Sequence, residues 1–154
     1  MIKISRKTRY ALRALIEMAC GKKKQLFYLK DLAKHQNISR KYLEIIFSIL
    51  RKHGIVNSRV GKKGGFYINP DLKNISALRI LECLEGKIEI VECKHKGRAC
   101  DRVIFCPTRA IWKDLNRTIR DYLSAINLKE LSSKKDIQKN VPFLPLQLKN
   151  IKSK

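Results

Sequence analysis

Three features of this sequence predict a mostly α-helical fold with one small β-hairpin and a long helix towards the C-terminal end. Several stretches repeat apolar residues at every third or fourth position, the spacing of one helical face. A single stretch, IVNSRVGKKGGFYINP, has the short strand-like runs and glycine-rich turn of a hairpin. The segment PTRAIWKDLNRTIRDYLSAIN then continues without a breaker for about five turns.

The first helix falls in residues 5–20, SRKTRYALRALIEMAC, with Ser5 as N-cap and Leu12, Leu15, Ile16 and Ala19 as its stripe. Gly21 and the lysines after it close that element. LKDLAKHQ is a short second helix, broken at NIS. Ser39 caps a third, RKYLEIIFSILRKH, with Leu43, Ile46, Phe47 and Leu50 as its stripe and Gly54 as its stop. Residues 55–60 and 66–68 are the hairpin strands. SALRILECLEG is a fourth helix, packing Leu78, Leu81 and Leu84. After a cysteine-rich loop at 93–106, Pro107 suits the first turn of the long helix, where its missing N–H has no partner to lose. The stripe there is Ile111, Leu115, Ile119, Tyr122 and Ile126. The last twenty residues, lysine-rich with two prolines, are expected to be a mobile basic tail.

Helix, helix, turn, helix and hairpin, in that order, make a winged helix-turn-helix. The helix after the turn enters the major groove of DNA and offers its first residues to base edges. Here those are Ser39, Arg40, Lys41 and Tyr42, all hydrogen-bond donors. Glu44 follows on the same face, where a carboxylate either accepts from a cytosine amine, rejects wrong sequences, or rests beside Arg40 one turn away. In the hairpin tip, Gly61, Gly64 and Gly65 permit positive φ and close backbone approach, while Arg59, Lys62 and Lys63 can neutralise phosphates. A plain basic turn has the same composition, so the ordered set of elements carries more weight than the tip alone.

The charge agrees with such a partner. Lys plus Arg number 35 against 13 acids, a net +22, and the usual anionic partner of a strongly basic chain is nucleic acid. A general habit of lysine-rich surfaces is the bland alternative. No run of membrane-spanning length exists, and MIKISRKTRYALRAL lacks a signal-peptide core, so the chain is expected in the cytoplasm, where thiols stay reduced. Enzymatic classes are not suggested: there is no glycine-rich nucleotide loop, paired carboxylates or nucleophile–base arrangement.

Cys93, Cys100 and Cys106 fall within fourteen residues, among the cations Lys94, Lys96, Arg98 and Arg102, which favour thiolate over thiol. Soft thiolates select iron–sulfur clusters, zinc or copper(I), and three of them need a fourth donor. The local candidates are His95, Asp101, a water or a small molecule. A basic surface with free, redox-active thiols is the alternative. Cys20 and Cys83 lie among apolar helical residues and are expected to be small core side chains, with His35 and His53 on helix surfaces facing solvent or phosphate.

"TRYALRAL", "ISRKYLEIIFSILRKHGIVNSRVGKKGGFYI", "CPTRAIWKDL" and "INLKEL" together resemble the bacterial winged-helix transcription regulators of the IscR/NsrR type, over residues 1–131. The resemblance implies a homodimer joined through the long helix and bound to a palindromic double-stranded DNA operator. It also implies that Cys93, Cys100 and Cys106 occupy the loop where cluster-binding members carry three thiolate ligands to a 2Fe–2S or 4Fe–4S cluster. Two departures concern the fourth ligand. One subgroup has histidine where this chain has Arg109, and another borrows a carboxylate from the partner's first helix, where SRKTRY has no acid.

The expected organisation is therefore a winged helix-turn-helix domain at 1–92, a sensor loop at 93–106, a dimerisation helix region at 107–131 and a basic tail at 132–154. The expected function is a dimeric DNA-binding regulator sensing iron–sulfur, redox or nitric oxide status. Two other readings remain: a cluster-free winged-helix regulator controlled by thiol oxidation or a partner protein, and a basic structural nucleic-acid-binding protein.

Overall fold

The computed structural model describes residues 4–22, 25–61, 64–70, 75–91, 94–95, 98–100, 102 and 104–133. Helix α1, Arg6–Ala19, starts where Ser5 accepts a hydrogen bond from the Thr8 amide. Its buried stripe is Ala11, Ala14, Leu15 and Met18, so the expected stripe is rotated. Leu12, Ile16 and Ala19 flank the core instead, while the small Ala11 and Ala14 are fully buried within it. Helix α2, Leu29–Gln36, ends at Asn37, whose left-handed backbone (φ 52°) makes the tight turn into the next helix.

Helix α3, Arg40–Lys52, buries the expected Leu43, Ile46, Phe47 and Leu50. It stops at Gly54 (φ 69°), with Ile55 N–H donating to the Leu50 carbonyl and Gly54 N–H to that of Arg51. That pair of bonds closes the last helical turn, and the buried Ile55 then leads straight into the hairpin. Strands β1, Val56–Arg59, and β2, Gly65–Ile68, pair antiparallel with Val56 opposite Ile68 and Arg59 opposite Gly65. Phe27, just before α2, adds a bridge to this hairpin through two backbone hydrogen bonds with Phe66, an element that the sequence pattern did not signal.

Helix α4, Ala77–Glu85, is capped by Ser76 and buries Ala77, Ile80, Leu81 and Leu84. Ile80 thus takes the central place expected for Leu78, which is half-buried. Within the cysteine loop the two-residue strands β3, Lys94–His95, and β4, Arg98–Ala99, form a small antiparallel hairpin. Helix α5, Arg109–Ala125, begins after Thr108, so Pro107 lies just outside the helix rather than in its first turn.

The chain then returns. Ala77 N–H donates to the Ile126 carbonyl and Leu128 N–H to that of Ile75, and helix α6, Leu128–Ser133, packs on α1 with Leu128 fully buried. One core results, in which α1 contacts α2, α3, α4, α6 and β2. Of the basic tail expected at 132–154, Ser132 and Ser133 belong instead to α6, and residues 134–154 lie outside the described residues.

Candidate nucleic-acid interface and cysteine loop

Helix α3 divides cleanly. One face is sealed into the core, and the other leaves Arg40, Lys41, Glu44, Ile45, Ser48 and Arg51 exposed. Ser39 stands at the N-cap position, but its hydroxyl makes no cap bond. The Arg40 guanidinium Nε donates to Glu44 Oε1 at 2.9 Å. Both side chains are well exposed, so the pair is worth only a few tenths of a kcal/mol and opens at little cost. Tyr42 is placed differently from its neighbours. Its half-buried ring meets Tyr10 of α1 edge-on, centroids 6.1 Å apart, and the Arg13 guanidinium lies over that Tyr10 ring.

The hairpin is held to α3 from both sides. Phe66 packs edge-on against the buried Phe47 at 5.1 Å, and Arg51 Nη1 donates to the Ser58 hydroxyl at 3.2 Å. Arg59 and Val60 then project into solvent. Gly64 has a steric reason to be glycine: a Cβ there would lie 2.2 Å from the Arg59 carbonyl oxygen, an atom that cannot move aside. Gly65 opens β2 opposite Arg59, while Lys62 and Lys63 lie outside the described residues.

Between α3 and the hairpin runs a groove of about 430 Å³ lined by Lys30, Arg40, Glu44, Ser48, Arg51 and Phe66. Three cations face one carboxylate there. Lys30 and Arg51 were not singled out from sequence; Arg40, Glu44, Ser48 and Arg51 recur at helical spacing, a signal that would have found Arg51.

In the cysteine loop, Cys100 is exposed and Cys106 half-buried. Cys106 Sγ lies 3.4 Å from the Thr108 hydroxyl. Hydrogen bonds from Thr108, followed by those from the Arg109 backbone and the Arg109 charge, hold its thiol below the usual cysteine pKa. A thiol whose pKa is lowered in this way is a good soft donor. His95 sits on β3, paired through the backbone with Arg98. Cys93 and Asp101 lie outside the described residues. Among the described residues no three His, Cys, Asp or Glu side chains are grouped so as to hold a metal ion. The donor chemistry available, exposed and activated thiols, fits a thiophilic metal or cluster, and Arg109 at the start of α5 offers no ligand atom.

The other cysteines are inert by comparison. Burial, then the Glu17 charge, raises the Cys20 thiol; burial raises that of Cys83 against the opposing charges of Arg79 and Lys7. His35 corrects the sequence expectation: instead of facing solvent or phosphate it bonds Glu17 Oε1 through Nδ1 at 2.7 Å. His53 does sit exposed, at the end of α3.

A glycine-tipped basic hairpin beside a helix with one sealed and one open basic face defines a winged-helix DNA-binding transcription regulator. The chain belongs to the Rrf2 family of iron-dependent transcriptional regulators, whose model matches residues 4–134. It is 35% identical over 136 residues to the HTH-type transcriptional regulator IscR of Vibrio vulnificus, covering 88% of this chain and 80% of that one. Its fold is similar to CymR, the global cysteine regulator of B. subtilis (TM-score 0.71, 32% identity, 86% of this chain and 98% of that chain). It is also similar to T. potens IscR (TM-score 0.69, 27% identity, 89% and 91%). These relatives are regulators rather than enzymes, and among the described residues no helix is long and apolar enough to cross a membrane.

Proposed function

We propose that this regulator is a homodimer that reads a palindromic operator with two copies of α3 and senses iron–sulfur, redox or nitric oxide status through its cysteine loop. The observation that carries this reading is the juxtaposition at the start of α5. The activated Cys106 thiol lies just ahead of α5, a helix on which Ile111, Leu115 and Tyr122 are 60%, 41% and 67% exposed. Such an apolar stripe on one helix calls for a partner, and a second copy supplies the same stripe by symmetry.

In this reading Ser39, Arg40 and Lys41 contact bases, Glu44 screens sequence, and Arg59, Lys62, Lys63 and the glycine turn of 64–65 follow phosphates. Cys93, Cys100 and Cys106 would hold an iron–sulfur cluster, which supplies one-electron chemistry and lability to oxidants and nitric oxide. With Arg109 at the position three after Cys106, the fourth ligand is weak or exchangeable, and His95 is its nitrogen candidate. The chain's own part is transmission. Cys106 and Thr108 sit at the entry of α5, and the far end of α5 is tied to α4 through the Arg120–Glu82 ion pair and the Ile126 carbonyl. A change in loop geometry therefore reaches the DNA-reading unit through one rigid helix.

The test is anaerobic purification followed by a visible spectrum and an iron and sulfide assay. A coloured protein, bleached by alanine at Cys93, Cys100 or Cys106 but unaffected by alanine at Cys20 or Cys83, is the expected result. A colourless protein after anaerobic reconstitution sinks the cluster. A thiol switch without a cluster is the second reading, favoured by the exposed Cys100 and the activated Cys106. It predicts that mild oxidation links two loop cysteines and alters DNA affinity.

A further inference from the structure

A second cavity, about 260 Å³, lies between the C-terminal half of α1, the connection that follows and the start of α2, away from the cysteine loop. Its walls include the polar Glu17, Gln25, Asp31 and His35 with the apolar Phe27 and Leu32. The volume falls just below the range of about 300–1,000 Å³ typical of small-molecule sites. In a chain of net +22 with 13 acids, two carboxylates line this one cavity, and among the described residues no lysine or arginine does.

The two carboxylates are held differently. Glu17 is 4% exposed and takes hydrogen bonds from His35 Nδ1 and Gln36 Nε2. Gln36 is itself fixed, since Arg13 donates to its side-chain oxygen at 2.9 Å and its backbone carbonyl at 2.8 Å. The Glu17 carboxylate is thus pre-oriented while its charge is met directly by one imidazole and one neutral amide. The Asp31 carboxylate, in the first turn of α2, makes no ion pair or side-chain hydrogen bond among the described residues. A buried negative charge favours a compensating cation, and the Phe27 and Leu32 walls favour an apolar body.

We propose that this cavity binds a small organic cation, a primary amine or guanidinium carried on an apolar body, with Glu17 and Asp31 as its charge partners. Phe27 extends the consequence. Its N–H donates to the Phe66 carbonyl at 2.7 Å and its carbonyl accepts from Phe66 N–H at 2.9 Å, so a wall of the cavity is hydrogen-bonded to β2 of the wing. Occupancy would stiffen the wing's attachment. That last step rests on the DNA-binding reading; binding itself does not.

Calorimetric titration of the full-length chain with tryptamine, tryptophol and indole-3-acetate separates charge from shape without DNA, and benzylamine varies the body. Tryptamine should bind once per chain, and tryptophol about tenfold or more weaker, the size of a lost charge-assisted hydrogen bond. Indole-3-acetate should not bind. Glu17→Gln and Asp31→Asn, checked for an unchanged melting profile, should each lose about as much tryptamine affinity. Should Glu17→Gln fail to fold, the half-exposed Asp31→Asn decides alone. Equal binding of all three indoles, full tryptamine affinity in Asp31→Asn, or no heat from either amine at millimolar concentration overturns the proposal. Slower amide exchange at Phe66 with tryptamine bound supports the coupling to the wing, and unchanged exchange removes it.

Discussion

Helices α3 and α5 share the same amphipathic design but differ in what their apolar faces meet. In α3, Leu43, Ile46, Phe47 and Leu50 are fully buried by the rest of the chain. In α5 no residue is buried, although Ile111, Trp112, Leu115 and Tyr122 form a comparable stripe. The pattern in the sequence says only that a face must be covered. Whether this chain or another molecule covers it is a property of topology. Helix α3 is surrounded because α1, α2, α4 and the hairpin close on it; α5 touches α4 along one side and projects the other. Stability should therefore reside in the first stripe and assembly in the second.

The sharpest way to break that division is to truncate one side chain from each stripe. Phe47→Ala removes a fully buried ring that also supports Phe66 of the wing, and should cost about 3–5 kcal/mol of folding free energy. Tyr122→Ala should change the stability of the isolated chain by no more than about 0.5 kcal/mol. Denaturant unfolding at low protein concentration measures both. Similar losses would mean that α5 belongs to the core after all.

Assembly gives the complementary test. If the proposed dimer forms through α5, Leu115→Glu should leave the fold intact, give a monomer by sedimentation, and weaken operator binding by about 10²–10⁴-fold, because two linked half-sites become independent. Leu115 is better placed for this than Ile119, which the sequence stripe made equivalent but which is half-buried in the single chain. Glutamate at Ile119 would disturb folding as well as assembly. An unchanged dimer in Leu115→Glu would move the interface elsewhere.

The same contrast explains what was legible in sequence. Helix α3 was readable to within one residue because its stripe, its N-terminal position and its glycine stop all coincide. The stripe of α1 was read one step off, since Ala11 and Ala14 are weak markers of burial yet are fully buried. Phe27's bridge to Phe66 left no local trace, because a single bridged residue has no periodicity. Helix α6 was hidden for a similar reason: INLKEL is too short to show a stripe, and Leu128 is the one apolar residue of the helix that is buried on returning to α1. Within the interface, Ser39, Arg40 and Lys41 were placed on the open face as their positions in the helix suggest, whereas the inward turn of Tyr42 depends on Tyr10, which is remote in sequence.

Helix α3 also joins the two kinds of surface, so its outer face can be tested against its inner one. Arg40→Ala and Lys41→Ala should each cost about 1–3 kcal/mol of specific operator affinity where the side chain reaches a base, with no change in melting temperature. Arg59→Ala should instead weaken binding to all sequences and reduce the slope of affinity against salt by about one ion. Competition with scrambled DNA over a salt series separates the two. A wing substitution that changed sequence preference while the helix substitutions did not would reverse the docking assignment.

The smallest expected effect concerns the joint that lets the core close beneath α5. Glu85, the last residue of α4, accepts hydrogen bonds from the hydroxyls of Ser5 and Thr8 at the start of α1. Partial desolvation pushes its carboxyl up, but those two bonds together with the nearby Lys7 charge outweigh it and hold the group below its ordinary value. A carboxyl whose pKa is lower folded than unfolded binds fewer protons in the native state. Its contribution is complete above the unfolded value of about 4.3 and is lost as the pH falls through the lower folded one. Wild-type stability should therefore decline in acid by a step that Glu85→Gln lacks, while at neutral pH the variant is slightly the less stable of the two. Because the site is largely open to solvent the step is small, and unfolding curves taken at close pH intervals are needed to see it. Parallel acid profiles for the two proteins would mean that Ser5 and Thr8 hold Glu85 without favouring its charge, leaving the α1–α4 joint to the apolar contacts alone.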